Sequence, residues 1–170
     1  MKAFAVAGLF LMTVTSAQCA EPKVAVFDFE LLDTSLDGEL QGARDDEHAR
    51  LVLISNQLRD ELNRSGRFDT LDMTALNAAA LGKNLQACGG CDVQMAQDIG
   101  ADLVITGVVQ KISNLILNMR IYLRNVHTGQ LVTTMNADFR GNTDESWSRA
   151  TGYLIRNRLL APRYGAPQAP

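Results

Sequence analysis

Two hydrophobic patterns alternate along this chain, and together they lay out a fold. Lys23-Val-Ala-Val-Phe-Asp-Phe29 and Leu103-Val-Ile-Thr-Gly-Val-Val109 are apolar at consecutive positions, as strands buried on both faces are. From 117 to 124 the period is two: Leu117, Met119, Ile121 and Leu123 alternate with Asn118, Arg120, Tyr122 and Arg124. One face of that strand packs and the other meets solvent. After the turn His127-Thr-Gly-Gln130, residues 131–139 return as its partner, with Leu131, Thr133, Met135, Ala137 and Phe139 on one face. Residues 44–65 change to a helical period. Leu51, Ile54, Leu58 and Leu62 form one stripe, while Arg50, Arg59, Asp60 and Arg64 mostly face away. Gly66 is positioned to cap the end of that helix.

The remaining segments are shorter. Residues 31–42 read as a loop and 68–71 as a second strand. Asp72 or Thr74 caps a short helix over 75–81, broken by Gly82. Cys88-Gly-Gly-Cys91 is a tight turn, after which Asp92 caps a two-turn helix with Val93, Ala96 and Ile99 inward. Asn142-Thr-Asp-Glu145 has the form of a capping box. It opens a helix that runs to about Leu160 with Trp147, Ala150 and Leu154 inward, stopped by Pro162. The order predicts an α/β fold, an about five-stranded mixed sheet ending in an antiparallel meander and packed with helices.

The amino terminus adds a compartment. Met1-Lys2, an uncharged apolar run over 3–14 and then small residues read residues 1–20 as a signal peptide. Cleavage after Ala17 and after Ala20 both fit. Gln18 is too large for a lipoprotein signal ending at Cys19. Residues 21–161 then form a single α/β domain and 162–170, with Pro162, Gly165, Pro167 and Pro170, a flexible tail. A periplasmic or secreted location follows, with no transmembrane segment after signal cleavage.

Export decides how the cysteines are read. If Cys19, one of three cysteines, leaves with the leader, two remain, and an oxidising compartment favours a Cys88–Cys91 disulfide. Whether that bond is structural or redox-active stays open. Cys91 precedes a helix, which favours a thiolate. Asp92 beside it disfavours one, and no interior proline is available to face a thioredoxin-type pair. His48 and His127 are not spaced as zinc partners, and Cys91 is followed by Asp92 rather than His, which excludes haem attachment by motif. No metal and no cofactor is expected.

Hydrophobic residues make up 46% of the chain and the net charge is −3, which argues against nucleic acid as a partner. The acidic residues Asp33, Asp37, Glu39, Asp45, Asp46 and Glu47 lack the spacing of a calcium loop. They read as a solvated loop and as favourable charges at a helix start. Asn118, Arg120, Tyr122 and Arg124 share the polar face of one strand and make a possible binding surface; if the last helix covered that face, Asp138 would be their partner. Asn142, Asp144 and Trp147 form a second polar cluster, which capping and one buried tryptophan would also explain. There is no nucleophile elbow, phosphate loop, dinucleotide fingerprint or Ser-His-Asp spacing, so no catalytic residue is assigned.

Val24-Ala-Val-Phe-Asp-Phe29, Leu62-Asn-Arg-Ser-Gly-Arg-Phe68 and Gly100-Ala-Asp-Leu-Val-Ile-Thr-Gly107 resemble a group of bacterial envelope domains. The group includes the TolB amino-terminal domain, the curli secretion lipoprotein and the lipoprotein activators of penicillin-binding proteins. Over residues 23–160, Cys88-Gly-Gly-Cys-Asp92, Gln110-Lys-Ile-Ser-Asn-Leu-Ile-Leu-Asn118 and Arg140-Gly-Asn-Thr-Asp-Glu-Ser-Trp147 look like an uncharacterised secreted bacterial family, known only as a domain of unknown function. The resemblance implies a non-catalytic binding or assembly accessory whose partner is another envelope protein, with the oligomeric state open. Two alternatives are thiol–disulfide exchange through Cys88 and Cys91, and an accessory role in PQQ-dependent alcohol oxidation. The last rests on the resemblance alone.

Overall fold

The computed structural model of the protein describes residues 20–161. The stretch read as a signal peptide, through Cys19, and residues 162–170, read as a tail, lie outside the described residues. The elements are β1 (Lys23–Val26), β2 (Glu30–Asp33), α1 (Leu36–Gln41), α2 (Asp45–Ser65), β3 (Asp69–Thr70), α3 (Thr74–Ala80), α4 (Cys91–Asp98), β4 (Leu103–Lys111), β5 (Ile116–Asn125), β6 (Leu131–Arg140) and α5 (Asp144–Leu154). A π turn, Ile155–Leu159, extends α5.

The expected mixed sheet is present, with six strands. β3, β1, β4, β5 and β6 lie side by side in that order, and β2 also pairs with β4. β1, β2 and β3 run parallel to their neighbours because helices or loops return the chain between them. The short turns between β4, β5 and β6 make the antiparallel meander. β4 lies at the centre, as its unbroken apolar run predicts: Val104, Ile105, Thr106 and Val109 are all buried.

One expectation needs correcting. Residues 23–29 do not form one strand. The chain leaves the sheet after Val26 and rejoins the same edge of β4 at Glu30, and β2 then runs into the segment 31–42 read as a loop. The break coincides with a close approach. Gly107 on β4 has no side chain, and the Phe29 ring occupies the space a Cβ would take. The loop reading also missed α1, which Ser35 caps by accepting a hydrogen bond from the Gly38 amide.

Helices pack on both faces. On one, α2 and α5 bury Ile54, Leu58, Leu62, Trp147, Ala150 and Leu154 against Ile105, Leu117, Met119 and Ile121. Each such aliphatic side chain stabilises the fold by about 1.5–3 kcal/mol. Gly66 caps α2 in the left-handed conformation at φ 60°, as predicted. On the other face, α3 and α4 cover a smaller cluster of Ala25, Phe27, Met73, Leu85, Ala96, Val104 and Val126. Because the last helix lies opposite the polar face of β5, Asp138 does not serve the arginines there. It accepts a 2.6 Å bond from the Asn118 amide.

Two capping assignments also change. Asp92 does not cap α4. Gly90 holds the N-cap position, and Asp92 is buried within the first turn. The box that opens α5 is Thr143 with Ser146, not Asn142 with Glu145. Asn142 is thereby released for another task.

Candidate functional site

The smaller helical layer stops short of the carboxyl end of β4, and a cleft of about 520 Å³ opens there. That size lies within the range of ligand pockets, ~300–1,000 Å³. Its floor is the polar face of three adjacent strands. Glu30 on β2 pairs in register with Val108 on β4, and Val108 with Arg120 on β5. Leu32, Gln110 and Asn118 make the next row. Tyr122 lies across from Thr106. The wall is the segment 81–86. Its Leu85 amide donates to the Glu30 carboxylate at 3.1 and 3.2 Å, and Gln86 Nε2 donates to Thr106 Oγ1 at 2.7 Å.

The charges in this cleft are unevenly matched. Asp28 is held by Arg59 at 2.6 Å. Burial pushes the Glu30 carboxyl above its usual range, although the Leu85 amide opposes the shift. Among the described residues, no partner faces the Arg120 guanidinium, the Lys83 ammonium, the Gln110 amide or the Tyr122 hydroxyl. Leu32 and Leu81, both exposed, add apolar surface at the rim.

Of the four residues read on that strand face, Asn118, Arg120 and Tyr122 line the cleft. Arg124 does not. Its Nε lies 3.2 Å from Asp92 Oδ2, a contact that pins α4 to the sheet. Neither atom makes an aligned hydrogen bond, so the contact is ionic. Asn142, Asp144 and Trp147 lie away from the cleft, around a buried lysine.

That lysine, Lys111 at the end of β4, is fully buried. Its Nζ lies 2.7 Å from Glu47, 3.0 Å from Asp33 and 3.4 Å from Asp37. Asp33 and Asp37 are therefore only partly solvated and tied to this lysine, and Glu47, though in the first turn of α2 as the helix-start reading has it, is buried. Glu39 and Asp45 are exposed as expected. Glu47 Oε1 also accepts from Asn142 Nδ2 at 2.6 Å, and Asn142 Oδ1 accepts from the Trp147 indole at 3.0 Å. Asn114 donates to Asp37 at 3.3 Å, and Arg50 binds Asp144 at 2.8 Å. Burial opposes ionisation of Asp33, but hydrogen bonds from Ser35 and Lys111 outweigh it and hold the carboxyl below its usual range. For Lys111 burial works toward deprotonation; Glu47 and Asp33 reverse that and raise the ammonium pKa. The network contains the central residues of two of the three motifs that suggested a family, and it closes one end of the sheet.

The sequence does not reveal this cluster through spacing, because its members run from Asp33 to Trp147 in chain order. The available signal is Lys111 itself. The run of β4 continues past Val109, and alternation places Lys111 on the packed face with Val109.

The third motif holds Cys88 and Cys91, whose sulfurs lie at the bonding distance of 2.03 Å. The Cys91 amide donates to Cys88 Sγ at 3.1 Å. The loop closed is short, so a chain-entropy estimate gives the bond about 2 kcal/mol. Replacing both cysteines with serine should lower stability by about that much in urea unfolding. No loss would mean that the segment 81–90 is held by the Leu85–Glu30 and Gln86–Thr106 contacts alone. No group of acidic, histidine or cysteine side chains able to hold a metal ion is present among the described residues.

Residues 22–159 match the model of the DUF3280 family, described as "Protein of unknown function (DUF2380)". The chain belongs to this family. No curated protein matches the chain in sequence. Among solved structures, this DUF3280 chain is similar to the LpoB C-terminal domain from Escherichia coli, at 17% identity, over 73% of this chain and 86% of that one, with a TM-score of 0.50. It is also similar to the hypothetical protein CT253 from Chlamydia trachomatis, at 11% identity, over 81% and 95% of the two chains, with a TM-score of 0.50. TolB from Acinetobacter baumannii matches at 17% identity over 82% of this chain but 29% of its own, with a TM-score of 0.41. The likeness to LpoB and CT253 is one of fold. No described helix of the DUF3280 chain is long and apolar enough to cross a membrane.

Proposed function

We propose that this protein is a non-catalytic binding or assembly accessory of the bacterial envelope, and that it recognises another envelope protein through the cleft over β2, β4 and β5. One observation carries the reading. A formed concavity presents an arginine, a lysine and neutral hydrogen-bonding groups, all unpaired among the described residues, on a sheet. Groups of that kind fix orientation and specificity in binding sites. The envelope location comes from the export signal read at the amino terminus. The buried lysine cluster serves as scaffold in this reading, because Lys111 is enclosed by three carboxylates and reaches no solvent.

Affinity capture from an envelope extract tests the reading, with wild-type bait against Arg120→Glu bait. Arg120 is exposed, so the variant should keep the wild-type unfolding midpoint. A partner retained by the wild type and lost by the variant is expected. Identical captured sets would overturn the cleft as the recognition surface. A captured quinoprotein dehydrogenase would narrow the role to alcohol oxidation.

Thiol–disulfide exchange through Cys88 and Cys91 is the second reading. It is favoured by the position of Cys91 at the first turn of α4, where helix amides stabilise a thiolate. The buried carboxylate of Asp92 in that same turn opposes it. A reduction potential below about −300 mV would mark a structural bond and exclude exchange.

A further inference from the structure

The cleft carries a statement about its ligand, one that rests on the binding role just proposed. Its unpaired groups are of both kinds. Arg120 and Lys83 offer positive charge, and Glu30 offers a carboxylate whose only partner among the described residues is the Leu85 amide. Gln110 both donates and accepts, as does the Tyr122 hydroxyl. Glu30 and Arg120 lie in one row with Val108 between them, so two strand spacings, about 10 Å, separate their backbones. That distance matches the rise of three extended residues. Exposed Leu32 and Leu81 border the same space.

We infer that the cleft takes a short extended peptide segment of a partner, laid across the strands with a carboxylate on Arg120, backbone amides against Glu30 and Gln110, and apolar side chains on Leu32 and Leu81. A fatty acid would satisfy Arg120 and the leucines. It would, however, cover Gln110 and the Glu30 carboxylate with hydrocarbon, leaving Gln110 with nothing to bond and Glu30 with the Leu85 amide alone, which disfavours it. A polyphosphate would meet Arg120 and Lys83 but also the Glu30 charge. A peptide supplies the acidic group, the donors and the acceptors at the required spacing. Lys83, on the wall, adds to the preference for acidic segments.

Amide NMR titration of the purified protein tests this, with four probes carried to millimolar concentration. These are acetyl-Leu-Leu-Glu-Leu-amide, the same peptide with Gln or Lys replacing Glu, and dodecanoate. The acidic peptide should shift the Glu30, Gln110, Arg120 and Tyr122 amides. It should bind about tenfold more tightly than the Gln peptide, the worth of one charge-assisted bond. Arg120→Glu should reverse the order, so that the Lys peptide becomes the tighter ligand. Equal binding of the three peptides, shifts away from these residues, or binding of dodecanoate without the acidic peptide would overturn the inference. So would the absence of shifts with every probe. A partner captured from extract in an Arg120-dependent way would still uphold the broader role, so the two failures are separable.

Discussion

Replacing Lys111 with methionine should lower the stability of the fold by about 3–5 kcal/mol, the cost typical of removing one partner from a buried ion pair. Methionine keeps most of the volume and removes the ammonium. Glu47 is then left as a buried carboxylate whose Oε1 keeps only the Asn142 amide, while its Oε2 already has no hydrogen-bond partner. Asp33 and Asp37 lose their shared cation but stay partly exposed, so water can reach them. The penalty therefore resides chiefly in Glu47. The double substitution Lys111→Met with Glu47→Gln should be less destabilised than the sum of the two single variants by more than about 1 kcal/mol, since the residues are in direct contact. Urea unfolding midpoints measure all three. A single-variant loss under about 1 kcal/mol would mean that the lysine does not hold the cluster.

The same cluster fixes a pH dependence. Asp33 and Asp37 ionise below their ordinary range in the fold. Their contribution is present above the unfolded carboxyl pKa, near ~4, and is lost as pH falls through the lower folded values. Lys111 is shifted the other way. Its contribution is full below its unfolded value near ~10.4 and is lost as pH rises through the folded value. Without the ammonium, the two aspartates move back toward ordinary behaviour. The stability gap between wild type and Lys111→Met should accordingly narrow on acidification below about pH 4. A gap that stays constant through that range would place the effect in packing rather than charge.

How far the sequence discloses this molecule depends on the range of the interaction. Periodicity in 103–109, 117–124 and 44–65 predicts β4, β5 and α2 because each pattern is local and each element buries its own stripe. The meander follows from turn length alone. The break between β1 and β2 does not follow, since apolar residues continue through Phe27 and Phe29 while the glycine that admits the Phe29 ring, Gly107, lies far along the chain. Capping fails in a similar way. Asp92 and Asn142 are good cap residues by type, but Arg124 and Glu47 hold them in tertiary contacts that local preference cannot anticipate. The candidate surface was legible as a strand face at Asn118, Arg120 and Tyr122. Its extension to Glu30, Lys83 and Gln110 requires knowing which segments border that face. The two polar clusters that are separate in sequence, the acidic stretch and Asn142 to Trp147, meet through Lys111.

Gly107 is the residue through which both sites are coupled to the fold, and adding one methyl group there should disturb both. A Cβ at this position would lie 2.3 Å from Phe29 Cε1 and 2.4 Å from Cδ1. The ring is buried, and the Phe29 amide is tied to Ser55 Oγ at 2.9 Å, so it has little room to swing aside. Gly107→Ala should therefore cost at least the ~1–3 kcal/mol of overpacking. Because Glu30 follows Phe29 directly and Asp33 ends the same strand, displacement of β2 moves a floor residue of the cleft and a ligand of Lys111 together. Phe29→Leu removes the ring that the methyl meets. The pair Gly107→Ala with Phe29→Leu should thus be more stable than the sum of the single changes by about 1 kcal/mol or more. Unfolding midpoints give the coupling, and amide shifts at Glu30 and Lys111 report whether β2 has moved. Additive losses, or an unmoved β2 in the Gly107→Ala protein, would show that the ring relaxes into other space. In that case the jog between β1 and β2 would owe nothing to this contact.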